Sequence, residues 1–575
     1  MQKYASSLKS FRHRLAYAEA LPQMVVLGVI CGILCGLLLG LFRIALEWPL
    51  ETWLPNGQHE GFESLPNWLR FCLPVVGSLL LLLLLCPLAP LKRKVGVAHL
   101  LERISYHQGQ LPAGNAILQF AAALLALLTG HSAGKEGPAV HLGAACGSLL
   151  GQRMRLPNNT LRILAGCGTA AAIAAMFNTP LAGVIFAMEV VLLEYSVLGF
   201  MPVMAAAATA TLVMHLLFGA EQVLNVPVMQ IHSMNEIPYV LFLGVVIGLL
   251  ASLFVKLTTK VTCWSTHQEF HLSYRLLIAG LLTGTCAVYV PEIMGVGYDT
   301  VTAALQGELA ITALLLILLV KVLLTPVIIG LGIPAGLIGP TFFIGAIAGG
   351  ALGIVGSSAV EQQVAHQGFY ALIGMGSMMA AVLNAPLAAL IAIMELTGNP
   401  NILFPAMIAI IVANLITRYV FNLPSIFIAI MRAQGMDFRL KPVQQVLSRS
   451  AVSSLMNTDF ISTPKTLSSA QSAEILERNP NWLLIEGSPS ALLPPADLAA
   501  FLKNNPDSEH ISLLEIPALR LDCATLSIRS TLLEALEALT GNEVDALCIA
   551  DFNGRIEGVI TRNQLETYYQ QYSSL

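Results

Sequence analysis

Apolar runs of membrane-spanning length recur through the first three quarters of the chain, among them Met24–Trp48, Phe71–Leu91, Ile237–Phe254 and Ile311–Leu331. A helix needs about 20 consecutive apolar residues to cross a bilayer. Four further apolar segments are short or cut by glycine, and each starts at a proline: Pro138–Leu150, Pro180–Leu192, Pro340–Leu352 and Pro386–Glu395. Proline opens a helix well, and broken backbone at membrane depth is tolerated only where it is buried or lines an aqueous cavity. From about Met436 charges return and apolar runs shorten. The pattern predicts an all-α polytopic membrane domain over 1–435 and a soluble domain over 436–575.

Composition agrees with this division. The chain is 56% hydrophobic and 11% charged, against a usual charged fraction of about 25%. About half of its Asp and Glu lie beyond residue 436, so the acidity belongs to the tail. Lys3, Lys9, Arg12, Arg14 and the run Lys92-Arg93-Lys94 are basic, whereas the loop Glu51–Asn67 has acids and no Lys or Arg. That asymmetry puts the N-terminus and the Lys92–Lys94 run in the cytoplasm and the first loop outside; a plasma (inner) membrane location with both termini cytoplasmic is expected. No short apolar stretch with a cleavage site opens the chain, so the first span is expected to be retained. The ten cysteines are scattered without metal-ligand spacing, and Cys31 and Cys35, one turn apart, read as packing residues.

An internal repeat organises the membrane part. Asn178-Thr-Pro-Leu-Ala-Gly-Val-Ile-Phe-Ala-Met-Glu189 returns as Asn384-Ala-Pro-Leu-Ala-Ala-Leu-Ile-Ala-Ile-Met-Glu395, at an offset of 206. Gly134–Gly151 matches Gly336–Gly353 at an offset of 202, and Gly166 and Gly168 are aligned with Gly374 and Gly376. Two halves follow, about 22–220 and 237–430. If an in-plane pseudo-two-fold relates them, broken helices from both halves aim their N-termini at one central point. Two converging positive helix ends make an anion site.

One acid stands apart from the repeat. Glu136 lies in Gly134-Lys135-Glu136-Gly137-Pro138, and its counterpart in the second half is Ile338. An ionisable residue inside the membrane marks an ion or proton pathway, and glycines let backbone N–H groups approach a ligand closely. Glu136 is therefore read as a tethered anion that gates the site. The repeated acids Glu189 and Glu395 are read as structural hydrogen-bonding groups, and Gly143/Gly147 and Gly345/Gly349 as helix contacts. His141 lies just over one turn from Glu136 and is read as a packing residue.

These residues resemble the CLC family of chloride channels and chloride/proton antiporters over most of 22–435. Gly134–Pro138 is similar to its G-[RK]-E-G-P motif, Phe177–Gly183 to a second signature, and Gly336-Leu337-Ile338-Gly339-Pro340 to G-x-F-x-P. The resemblance implies a homodimer with one pore per subunit and two inverted halves. It makes Glu136 the external gate, and places Gly134, Lys135, Gly137 and the backbone amides of Leu337 and Ile338 around chloride. The family's G-S-G-I-P aligns with Lys94–Ala98, so Val95, beside Gly96, replaces a serine, and Phe427 replaces the tyrosine that caps the inner end. Losing two donors at about 1–3 kcal/mol each predicts weak, loosely selective anion binding. The residue after Glu189 is Val190 rather than the internal glutamate of coupled members, and Glu194, four residues on, is its possible substitute on the same helix face. The expectation is glutamate-gated passive chloride conduction; the alternative is a chloride/proton antiporter.

The tail carries two similar segments. Val452–Leu502 contains a strand at Trp482–Glu486 and a helix at Pro494–Leu502. The second contains a helix at Ser530–Leu539, a strand at Ala546–Ala550, a turn at Asp551–Gly554, Gly558–Thr561 and a last helix. The order helix–strand–turn–strand–helix resembles a cytosolic CBS pair. Nucleotide-binding members have an Asp three residues past the Thr of G-[VI]-[VI]-T, where this chain has Gln564, so no cofactor is expected and the tail is read as structural. An intramembrane enzyme would need a nucleophile–base pair or metal ligands, and His99, His131, His141 and His215 have no such spacing. The expected partners are chloride, the lipid bilayer and a second copy of the chain, not nucleic acid.

Overall fold

The computed structural model describes residues 20–55, 60–195, 197–219, 236–267, 271–359, 367–436, 446–487, 490–505, 510–551 and 553–572. Lys3, Lys9, Arg12 and Arg14 lie outside them. Residues 25–153 and 162–438 form one compact unit, and 439–575 form a second together with 1–24 and 154–161.

The first unit is helical. Its first half contains α1 (Leu21–Trp53), α2 (Asn67–Leu85), α3 (Gly96–Tyr106), α4 (Ala113–Leu128), α5 (Glu136–Arg153), α6 (Asn158–Phe177), α7 (Pro180–Phe186) and α8 (Val197–Phe218). Its second half repeats the order with α9 (Ile237–His267), α10 (Leu272–Tyr289), α11 (Tyr298–Gln306), α12 (Ile311–Leu331), α13 (Ile338–Ala359), α14 (Gln367–Leu383), α15 (Pro386–Thr397) and α16 (Leu403–Leu415), and α17 (Ile426–Ala433) follows. Among the described residues nine helices are long and apolar enough to cross a membrane. Leucines and isoleucines stand exposed along α1, α2, α9 and α12, as lipid-facing surfaces require.

The broken segments are built as the prolines suggest, with one difference. α7 and α15 open at Pro180 and Pro386, each behind an asparagine in the left-handed region, Asn178 and Asn384, both at φ 56°. Asparagine tolerates that conformation better than most residues. A π-helical turn, Ala187–Leu192, extends α7. α13, expected to be short, is 22 residues long and carries an apolar window of spanning length. It and α5 start two residues ahead of Pro340 and Pro138.

Packing fixes the register of the repeat. A Cβ on Gly143 would lie 2.2 Å from the carbonyl oxygen of Gly168, and one on Gly345 2.4 Å from that of Gly374. Gly147 faces the carbonyl of Leu164 and Gly349 that of Tyr370 in the same way. Gly168 therefore corresponds to Gly374, at the offset of 206 that relates Asn178 to Asn384. The expected pairing of Gly166 with Gly374 and Gly168 with Gly376 is corrected. The pseudo-two-fold is visible in the acids too. Glu395 accepts from the N–H groups of Leu181 (2.9 Å) and Ala182 (2.7 Å) at the start of α7, and Glu189 from those of Leu387 (3.4 Å) and Ala388 (2.8 Å) at the start of α15. Each carboxylate caps the other half's helix.

The second unit contains a six-stranded sheet in which the same unit occurs twice. β1 (Phe460–Thr463) pairs in parallel with β3 (Trp482–Ile485), which pairs antiparallel with β4 (Ser490–Leu493). β6 (Leu521–Ser527) pairs in parallel with β7 (Ala546–Ala550), which pairs antiparallel with β8 (Ile556–Thr561). β4 joins the two against β6, and β2 (Thr466–Ser468) with β5 (His510–Ser512) forms a separate pair. The helices are α18 (Ser469–Glu477), α19 (Pro495–Asn504), α20 (Leu532–Gly541) and α21 (Arg562–Tyr572). α18 and α20 both start with capping boxes, Ser468/Gln471 and Thr531/Glu534. This is the α/β arrangement of the CBS-like pair. Within the same unit the Asn158 amide donates to the Glu534 carboxylate (3.1 Å), and Arg529 Nε to the carbonyl of Leu156 (3.0 Å).

Candidate functional site

The two halves meet where α5 and α13 begin. Gly134 and Gly336 form an antiparallel bridge, each N–H donating to the other's carbonyl at 2.9 and 2.8 Å. Only glycine fits there: a Cβ on Gly137 would lie 2.7 Å from Gly336 Cα. Glu136 is fully buried in this junction. Its Oε2 accepts from the N–H of Gly339, at the start of α13, at 2.9 Å, and its Oε1 from the hydroxyl of Tyr298, the first residue of α11. A carboxylate of one half thus occupies the positive end of a helix of the other.

The N–H groups of Leu337 and Ile338, two residues and one residue earlier, find no acceptor among the described residues. Both residues are buried, 4% and 0% exposed. Buried backbone donors are rarely left unpaired, which makes these two N–H groups candidate donors to a small anion. A Cβ on Gly339 would lie 2.6 Å from Glu136 Oε2. Gly339→Ala puts a methyl group against the Glu136 carboxylate, and overpacking of about 1–3 kcal/mol should weaken halide binding about tenfold by calorimetry.

The other expected site residues take varied places. Lys135 reaches Glu47, Nζ to Oε1 3.4 Å, and lies 5.6 Å from the ring centroid of Tyr298. Val95 is extended and half-buried ahead of α3, and Gly96 is at φ 82° with open space where a Cβ would stand. Phe427 is buried on α17, which packs against α3. Glu194 is not on the helix face expected for it: the helical turn ends at Leu192, Leu193 adopts φ 55°, and Glu194 follows beyond. His141 is buried against His99, Nε2 to Nδ1 3.0 Å, as a packed histidine.

The profile of the family described as "Voltage gated chloride channel" matches residues 77–418, more than half of the chain. The chain belongs to this family. A voltage-gated-chloride-channel-family relative from Ralstonia nicotianae, named "Putative chloride channel protein ClcB-like", is 31% identical over 68% of this chain and 93% of its own. The "H(+)/Cl(-) exchange transporter ClcA" of Vibrio cholerae is 28% identical over 51% of this chain, which spans 64% of that protein. Among solved structures, a slow cyanobacterial Cl-/H+ antiporter matches 72% of this chain and 99% of its own, with a TM-score of 0.63 at 21% identity. A eukaryotic CLC transporter matches 94% of this chain and 97% of its own, with a TM-score of 0.59 at 17% identity.

Three residues of this family member's site were not anticipated. Tyr298 is the counterpart of Gly96 at the repeat offset of 202, so the start of α11 carries a hydroxyl where the start of α3 has none. Its ring lies tilted beside that of Phe177, centroids 6.3 Å apart, and its hydroxyl donates to Glu136. Lys321 on α12 is fully buried, donates to the carbonyl of Ile293 (3.1 Å) and lies 4.0 Å from the ring centroid of Phe343 on α13. Glu60, in the loop between α1 and α2, accepts from the N–H groups of Tyr298 and Asp299. Burial, with the Asp299 carboxylate beside it, pushes Glu60 up to about 7. A cavity of about 30 Å³ lined by Glu47, Glu60 and Lys135 adjoins these groups, room for one water.

Proposed function

We propose that the chain moves chloride across the membrane in exchange for protons, with Glu136 serving both ions. The observation that carries this reading is the Glu136 carboxylate on the N–H of Gly339, next to the unpaired N–H groups of Leu337 and Ile338. While charged, it fills the anion's place. Once protonated, it loses most of its attraction to the helix end, and chloride takes the vacated donors. Chloride entry therefore accompanies protonation of Glu136, and exchange results when the two ions depart towards opposite sides of the membrane. The names of the Vibrio relatives favour exchange over the passive channel that Val190 suggested. Passive conduction keeps support, since valine cannot carry a proton, Glu194 lies off the helix, and the Ralstonia relative is named a chloride channel.

Liposomes loaded with chloride and placed in low-chloride buffer distinguish the two. The exchange reading expects protons to be driven inward against a proton gradient, whereas chloride efflux with no linked pH change means passive conduction. Organisation as a homodimer with one pathway per chain, in the plasma membrane with both termini cytoplasmic, belongs to the same proposal.

Tyr298→Phe removes one of the two anchors on the Glu136 carboxylate while keeping the ring. A hydrogen bond to a charged group is worth about 1.5–3 kcal/mol, so the tethered anion should compete less and chloride should bind about tenfold more tightly by calorimetry. Unchanged affinity contradicts an anchoring role for the hydroxyl.

For the tail we propose a structural role without nucleotide. Gln564 is engaged in a cap: its Oε1 accepts from the N–H of Thr561 (2.9 Å), and its own N–H donates to Thr561 Oγ1 (3.4 Å). A ligand at about 100 times its Kd would stabilise by about 2.7 kcal/mol. ATP and AMP are expected to leave the melting temperature of the full chain unchanged, and a concentration-dependent rise contradicts the assignment.

A further inference from the structure

α9 has 31 residues, about 46 Å at 1.5 Å per residue, and so outruns a hydrocarbon core of about 30 Å. Its second half carries Lys256, Lys260 and Trp264 at four-residue spacing, which puts them in one stripe along the helix. Facing this stripe across a groove of about 680 Å³ is Arg432 of α17, over a floor that includes Leu423 and Pro424. Lys256, Lys260, Trp264 and Arg432 are all exposed. Among the described residues none of the three cations is paired with a carboxylate, and no acid lines the groove. Lys256 Nζ lies 4.2 Å from the ring centroid of Phe421, a cation–π contact at the edge of the groove.

The groove is separate from the anion site. Arg432 lies five residues past Phe427, about 140° around α17, and Phe427 is buried while Arg432 is exposed. Arg432 also lies at the end of α17 from which the chain continues to the tail.

We propose that this groove binds the headgroup of an anionic phospholipid, with the phosphate among Lys256, Lys260 and Arg432 and the glycerol and acyl chains along the apolar floor. Three unpaired cations over an apolar surface match a ligand that is anionic at one end and greasy at the other. A free phosphate has no use for the floor, and a zwitterionic headgroup offsets its own charge. Tryptophan beside the cations is what the level of the headgroups favours, and basic clusters at helix ends attract anionic lipid. This site does not depend on the transport reading.

The test uses the full chain in phosphatidylcholine nanodiscs containing a minor fraction of phosphatidylglycerol, with bound lipid read by native mass spectrometry. About one phosphatidylglycerol per chain should be retained, and K256Q/K260Q/R432Q should lose it. Each cation near a charged surface contributes about fivefold, so the single variants K260Q and R432Q, which spare the fold if the triple one does not, should each weaken retention by about that factor. Lys92→Gln, on another exposed basic run, should leave retention unchanged. Glycerol phosphate, which has the headgroup charge without the chains, should not displace the lipid. Equal retention by the single variants, an equal loss with K92Q, displacement by glycerol phosphate, or no preference for phosphatidylglycerol in the wild type would each overturn the proposal.

Discussion

Glu136→Ala is expected to lower proton transport by about 100-fold or more while chloride still crosses. Among the described residues no other carboxylate is hydrogen-bonded to the start of α13. A positioned proton-transfer group contributes about 10²–10⁴ in rate, and alanine offers no replacement. The same change leaves the N–H of Gly339 without its acceptor, so the positive end of α13 gains a place for the mobile anion and chloride occupancy should rise. Paired recordings of chloride and pH in liposomes check both parts. Proton movement at the wild-type rate would remove Glu136 from the proton's route, and loss of both fluxes in a folded protein would make it a structural group.

The second large effect concerns stability. Glu189→Ala and Glu395→Ala should each destabilise the membrane unit by about 3 kcal/mol, because each uncovers two helix-start N–H groups of the opposite half that now hold bonds to a carboxylate worth about 1.5–3 kcal/mol apiece. The first of each pair, on Leu181 and Leu387, belongs to an exposed residue, and the figure is set at the low end of the sum for that reason. The two acids secure one α7–α15 contact from opposite directions, so the double variant should cost less than the two single ones together. Thermal unfolding in detergent of the two single variants and the double variant provides the measurement. Additive losses would mean that the two caps act independently.

Much of this arrangement was legible in the sequence because it is written locally. Helix-starting prolines, the asparagine ahead of them, and glycines too close-packed for a side chain each leave a residue type at a fixed place. The repeat made Glu189 and Glu395 readable as structural, and the lack of a partner for Glu136 in the second half made that acid stand out. The misaligned glycines have a simple cause. The offset is 202 at Gly349 and 206 at Tyr370, so four extra residues fall between these two positions, where α13 runs four residues longer than α5, and an alignment by glycine identity alone slips across them. Glu194 was misplaced because nothing in Met188–Glu194 announces the left-handed turn at Leu193, a conformation that leucine rarely adopts. Tyr298 could not be found from spacing: it meets Glu136 across 162 residues through tertiary packing alone. The repeat itself held a signal, since the offset of 202 carries Gly96 onto Tyr298.

The central claim is that helix starts from both halves form one anion site in which the Glu136 carboxylate stands in for the ion. Crystals of the wild type and of Glu136→Ala grown in bromide test it most directly, by anomalous scattering. The account predicts bromide at the N–H groups of Leu337 and Ile338 in both, with a second ion at the N–H of Gly339 only where the carboxylate has been removed. Bromide absent from the starts of α5 and α13 in both crystals would contradict it.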